Sequence, residues 1–151
     1  MGAVIQIQEY LNSRNRRRGA AMGKRILVID DEPDMVTLYT TVLEENGYSV
    51  TGVNSAQEGL QLLQGSRPDL ILLDLVMPEK TGINLFRDLK KDEHYKDIPI
   101  VLITGIKDVM GGDHKKFFEG LRTRVPAAYL EKPVDPKTLV KTVSNILGPA
   151  K

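Results

Sequence analysis

What most constrains the fold of this chain is a set of short apolar runs that do not alternate with polar residues. Ile26-Leu27-Val28-Ile29, Leu70-Ile71-Leu72-Leu73 and Ile98 to Ile103, with Pro99 near its start, are apolar throughout. A strand with one wet face shows a period of two. An unbroken run of this length fits a strand buried on both faces, as in a parallel sheet between two helical layers. Tyr48 to Val53, which includes Ser49 and Thr51, and Ala127 to Leu130 are further short strand candidates.

The segments between these runs have helical period. Pro33 to Asn46 places Met35, Val36, Leu38, Tyr39, Val42 and Leu43 at helical spacing; Pro33 suits a first turn and Gly47 a left-handed residue after the last. Ser55-Ala56-Gln57-Glu58 has capping-box spacing and opens a helix through Leu60, Leu62 and Leu63, broken by Arg67-Pro68-Asp69. Pro78 and Gly82 frame a loop before a helix carrying Ile83, Leu85, Phe86 and Leu89. Gly111-Gly112 interrupts the next segment, where Asp113 could cap a helix with Phe117, Phe118 and Leu121. Asp135-Pro136, a cap followed by proline at the first helical position, opens the last helix, through Leu139, Val140, Val143, Ile146 and Leu147. The expected fold class is therefore α/β: a doubly wound (βα)5 unit with a five-stranded parallel sheet of order 2-1-3-4-5 and right-handed crossovers.

At 151 residues the chain suffices for one domain with a real core. We expect the domain over 24–148, a short tail at 149–151, and an N-terminal extension at 1–23 that is vector-derived or disordered, with Met22 as the natural start. The extension holds Arg14, Arg16, Arg17 and Arg18 against Glu9, a charge of +3, and the remainder carries −2. That mildly acidic body gives no electrostatic footprint for nucleic acid. No apolar stretch approaches the roughly 20 residues that span a bilayer, so no membrane partner is expected. The chain has no cysteine, which excludes disulfides, thiolate metal sites and cysteine nucleophiles and agrees with a cytoplasmic location.

Four of the five runs deliver a charged or hydroxyl residue to their ends. Asp30-Asp31 follow the first, Asp74 ends the third, Thr104 ends the fourth and Lys132-Pro133 follow the fifth. In a doubly wound sheet these positions are carboxyl ends of strands, where ligands bind at the switch in strand order. Two carboxylates about 4 Å apart repel by roughly 4 kcal/mol at an effective dielectric near 20. Three together call for protonation or a cation. Oxygen ligands without histidine or cysteine favour a hard ion, Mg2+ before Mn2+ or Ca2+.

Ile-Leu-Val-Ile-Asp-Asp-Glu-Pro at 26–33, Asp-Leu-Ile-Leu-Leu-Asp-Leu-Val-Met-Pro at 69–78, Gly82, Ile-Val-Leu-Ile-Thr-Gly at 100–105 and Tyr-Leu-Glu-Lys-Pro at 129–133 occur in this order. Together they resemble a receiver domain of the response-regulator family, of the stand-alone chemotaxis-regulator kind, with its flavodoxin-like fold. The resemblance implies that Asp74 accepts a phosphoryl group from a sensor histidine kinase or phosphotransfer protein. It implies Mg2+ held by Asp31, Asp74 and the backbone carbonyl of Val76, with Asp30 acting mainly through a bound water. It further implies that Thr104 binds phosphoryl oxygens, that Lys132 pairs with Asp74 or its phosphate through a cis Lys132–Pro133 bond, and that Tyr129 swings inward with Thr104.

Output would then pass by protein–protein contact to an unidentified downstream target, with homodimerisation on phosphorylation left open. Such a chain is not an enzyme beyond its own phosphorylation and slow dephosphorylation. The alternative is a Mg2+-dependent aspartyl-phosphate phosphohydrolase, but the first strand ends in Asp30-Asp31-Glu32 rather than the D-x-D of those enzymes. The stretch from Thr104 to Lys132 is longer than usual for the family, which leaves the conformation of 105–126 open.

Overall fold

The computed structural model describes residues 23–75, 77, 82–105 and 126–148. Five strands and four helices fill them: β1 Arg25–Ile29, α1 Pro33–Glu45, β2 Ser49–Val53, α2 Ala56–Gly65, β3 Leu70–Asp74, α3 Gly82–Lys91, β4 Ile100–Thr104, β5 Ala128–Glu131 and α4 Pro136–Leu147. The expected helix around Phe117, Phe118 and Leu121 lies outside the described residues, as do Val76, residues 1–22 and 149–151.

The strands form one parallel sheet in the order β2-β1-β3-β4-β5. Alternate residues of its central strands serve opposite layers. Ile26, Val28, Leu70, Leu72, Val101 and Ile103 pack with Tyr39 and Leu43 of α1 and with Leu139 and Val143 of α4. Leu27, Ile29, Ile71, Leu73, Ile100 and Leu102 pack with Leu62 and Leu63 of α2 and with Leu85, Phe86 and Leu89 of α3. Neither face meets water, so both parities must be apolar, and the unbroken runs follow. Each such side chain contributes about 1.5–3 kcal/mol when fully buried.

Local chemistry sets the helix ends. Pro33 occupies the first turn of α1, and Gly47, at φ 93°, lets the chain turn back after it. The Ser55 hydroxyl caps α2 by accepting from Glu58 N at 3.1 Å, and the Asp135 carboxylate caps α4 by accepting from Thr138 N at 3.1 Å. Strand boundaries move by a residue or two from the sequence reading. β2 starts at Ser49 because the Tyr48 amide donates back to Leu43 O at 3.1 Å. β4 starts at Ile100, although Pro99, without an amide of its own, still accepts from Ile71 N at 3.0 Å.

One glycine is required by a close approach. A Cβ on Gly82 would lie 1.9 Å from the carbonyl oxygen of Asp74 and 2.7 Å from Leu75 Cα. Gly82 N instead donates to Leu75 O at 2.9 Å, so α3 begins directly on the end of β3.

Candidate functional site

The carboxyl ends of β1, β3, β4 and β5 share one rim, because four parallel strands in register finish together. Asp30 follows β1, Asp74 and Thr104 are the last residues of β3 and β4, and Lys132 follows β5. Between β1 and β3 the strand order reverses, since β2 lies to one side of β1 and β3 to the other.

Asp30 is the most constrained of these residues and is 1% exposed. Its amide donates to Val53 O at 3.2 Å, and its carbonyl accepts from Asn54 Nδ2 at 3.1 Å. Carboxylate oxygen Oδ1 accepts from the Glu32 amide at 2.9 Å. The other oxygen, Oδ2, is buried without a hydrogen bond and faces the Lys132 ammonium at 3.4 Å. Burial pushes the Asp30 carboxyl above the ordinary 3.8, against the opposing pull of the Glu32 amide and the Lys132 charge.

Lys132 reaches the rim from the β5–α4 connection. Its amide donates to Thr104 O at 2.9 Å, and the Lys132–Pro133 bond is cis. The ammonium meets three carboxylates: Glu32 Oε1 at 3.1 Å, Asp30 Oδ2 at 3.4 Å and Asp74 Oδ2 at 3.6 Å. Burial alone would lower its pKa. The Glu32 hydrogen bond and the charges of Asp74 and Asp30 outweigh that and hold it above the ordinary 10.5. Lys132 is thus a fixed cation throughout the physiological range.

Asp74 is 3% exposed, and Thr104 is fully buried. Asp31 is half-buried. Tyr129 is also half-buried and packs against the core layer of α2 and α3. The carboxylate oxygens of Asp30, Asp31 and Glu32 lie within 4.8 Å of one another. At that separation a pair of charges repels by about 3.5 kcal/mol at an effective dielectric near 20.

These residues fit a hard divalent cation. The donors are all oxygen, negative charge is in excess, and a buried carboxylate oxygen lacks a hydrogen bond. The structure thus brings Asp30, Asp74, Thr104 and Lys132 to one rim, with Asp31 beside them. Val76 lies outside the described residues. Glu32 is the site residue that sequence reasoning passed over, although it continues the acidic run after β1 and makes the shortest of the three Lys132 contacts.

A family model for the response regulator receiver domain matches residues 26–144. Protein PilH of Pseudomonas aeruginosa is 35% identical over 124 residues, covering 82% of this chain and 98% of that protein. The polar-differentiation response regulator DivK of Brucella ovis is 30% identical over 129 residues, covering 85% and 100%. Among solved structures, the chemotaxis protein CheY4 of Vibrio cholerae matches at a TM-score of 0.71 and 27% identity, covering 82% and 98%.

Proposed function

The chain belongs to the response regulator receiver domain family, and we propose that Asp74 is the residue on which it takes up a phosphoryl group. It is a phosphoacceptor signalling module, and nothing in its relatives favours a phosphohydrolase. The observation that carries the assignment to Asp74 is the Lys132 ammonium 3.6 Å from its carboxylate, at the C-terminal end of the central strand β3.

The donor in this reading is a phosphohistidine on a sensor kinase or phosphotransfer protein. An Asp74 oxygen bonds to phosphorus as the P–N bond breaks, and the departing imidazole keeps the electron pair and takes a proton from solvent. Lys132 offsets charge on the transferring group. Asp30, Asp31, Asp74 and the Val76 carbonyl are the residues that would hold Mg2+, with Asp30 engaging it through water. Bound there, Mg2+ supplies positive charge to the phosphoryl oxygens. Glu32 belongs to the same acidic group.

Thr104, one residue from the Gly105 turn, offers its hydroxyl to the phosphoryl group once formed, and Tyr129 on neighbouring β5 follows it inward. This displaces a two-state equilibrium and changes which face is presented to a downstream protein or to a second copy of the chain. The module turns over no external substrate and works in the cytoplasm, where kinases of this kind present their phosphohistidine. Among the described residues no helix is long and apolar enough to cross a membrane.

Incubation with acetyl phosphate and Mg2+ tests the reading by intact-mass measurement. Wild type should gain one phosphoryl group and Asp74→Asn none. Labelling of the Asn variant, or of neither protein, would count against Asp74 as acceptor.

A further inference from the structure

We propose that Glu32 is a positioning residue that draws the Lys132 ammonium away from Asp74 in the unmodified protein and so slows phosphorylation. The inference rests on Asp74 being the acceptor. Three carboxylates compete for one ammonium, and Glu32 is the nearest, at hydrogen-bond distance, with Asp74 0.5 Å farther off.

The backbones on both sides of this contact are held. Glu32 donates its amide to Asp30 Oδ1 at 2.9 Å, and its carbonyl accepts from Met35 N at 3.0 Å and Val36 N at 3.1 Å. Lys132 is held by its amide bond to Thr104 O at 2.9 Å. Glu32 is the N-cap residue of α1, yet its side chain makes no capping bond. The equivalent residues of α2 and α4, Ser55 and Asp135, both use theirs to accept from their own helix. Glutamate is too long for that geometry, and here its carboxylate bridges 100 positions of sequence to Lys132.

Phosphorylation would change the competition. An aspartyl carboxylate carries one negative charge, whereas a phosphoryl group at neutral pH carries about two. Lys132 then favours the modified Asp74, and Glu32 releases it. Glu32 therefore acts on the unmodified state alone. Its side chain is 59% exposed, so solvent screens the pair. Exposed pairs contribute about 0.2–1 kcal/mol, which converts to a rate effect of up to about fivefold.

The test compares wild type, Glu32→Gln and Glu32→Asp at saturating Mg2+ and subsaturating acetyl phosphate. Aspartate keeps the charge but is one methylene too short to make the contact from a clamped backbone. Both variants should be phosphorylated about two- to fivefold faster, with the acyl phosphate lifetime unchanged and the 15N signal of the Lys132 ammonium shifted. Unchanged or slower rates would overturn the proposal, as would wild-type behaviour of Glu32→Asp or a lifetime that moves with the rate. If no protein is labelled, the Asp74 assignment has failed instead. The ammonium signal still reports on Glu32 in that case, and its indifference to Glu32→Gln would refute the hold.

Discussion

Asp30 carries the largest conflict between charge and burial at the rim. Its carboxylate is 1% exposed, one oxygen lacks a hydrogen bond, and two further acids lie within 4.8 Å. Asparagine can still accept from the Glu32 amide while removing the charge. Asp30→Asn should therefore raise the melting temperature in metal-free buffer, by the equivalent of about 1 kcal/mol or more. Mg2+ should stabilise wild type and have much less effect on the variant, as calorimetric scans with and without the ion would reveal. The sign with pH follows from the raised pKa. The folded state takes up the Asp30 proton at higher pH than the unfolded state, whose value is near 3.8. This contribution to stability grows as pH falls through the folded-state value, reaches its full size below 3.8, and is absent in the Asn variant.

At the scale of elements, the junction between β3 and α3 is the tightest point. Gly82→Ala puts a methyl group against backbone, the Asp74 carbonyl and Leu75 Cα, which cannot rotate away as a side chain would. Gly105→Ala meets nothing nearer than Lys132 Cβ at 3.9 Å. Urea denaturation should show Gly82→Ala destabilised by about 3 kcal/mol or more, beyond ordinary overpacking, and Gly105→Ala within about 0.5 kcal/mol of wild type. Equal behaviour of the two would mean that α3 does not begin where it is placed. Most elements here were legible in the sequence because their signals are local: Pro33 and Gly47 bound α1, Ser55 and Asp135 cap α2 and α4, and the apolar runs mark the strands. The role of Glu32 was not. Its partner is 100 residues away, and an acid after two acids reads as one more charge until the fold brings Lys132 to it. The need for glycine at position 82 is legible as a motif, whereas its cause is a distance to Asp74 that only tertiary structure supplies.

The whole molecule is organised by one sheet with two differently furnished faces. The layer under α1 and α4 contains two buried phenols, Tyr39, whose hydroxyl contacts Met35 Sδ at 3.8 Å, and Tyr48, which donates to Gly148 O at 3.1 Å. Burial pushes Tyr39 up from 10.0 to about 12 and raises Tyr48 as well. A phenol with a raised folded-state pKa contributes stability that is complete below the unfolded value and fades as pH climbs to the folded one. The domain should therefore weaken between about pH 10 and 12, by up to about 3 kcal/mol through Tyr39. Tyr39→Phe should flatten that decline in alkaline denaturation curves, and a slope unchanged by the substitution would place its cause elsewhere. The layer of α2 and α3 buries Phe86 instead, with Tyr95 and Tyr129 partly buried against it. Since odd and even residues of β3 look to different layers, the described residues form two cores that share a backbone and no side chains along it. Descendants of this sequence can rewrite one core while leaving the other intact. The rim, where both layers meet the same few acids and one lysine, is the part that tolerates no such independent drift.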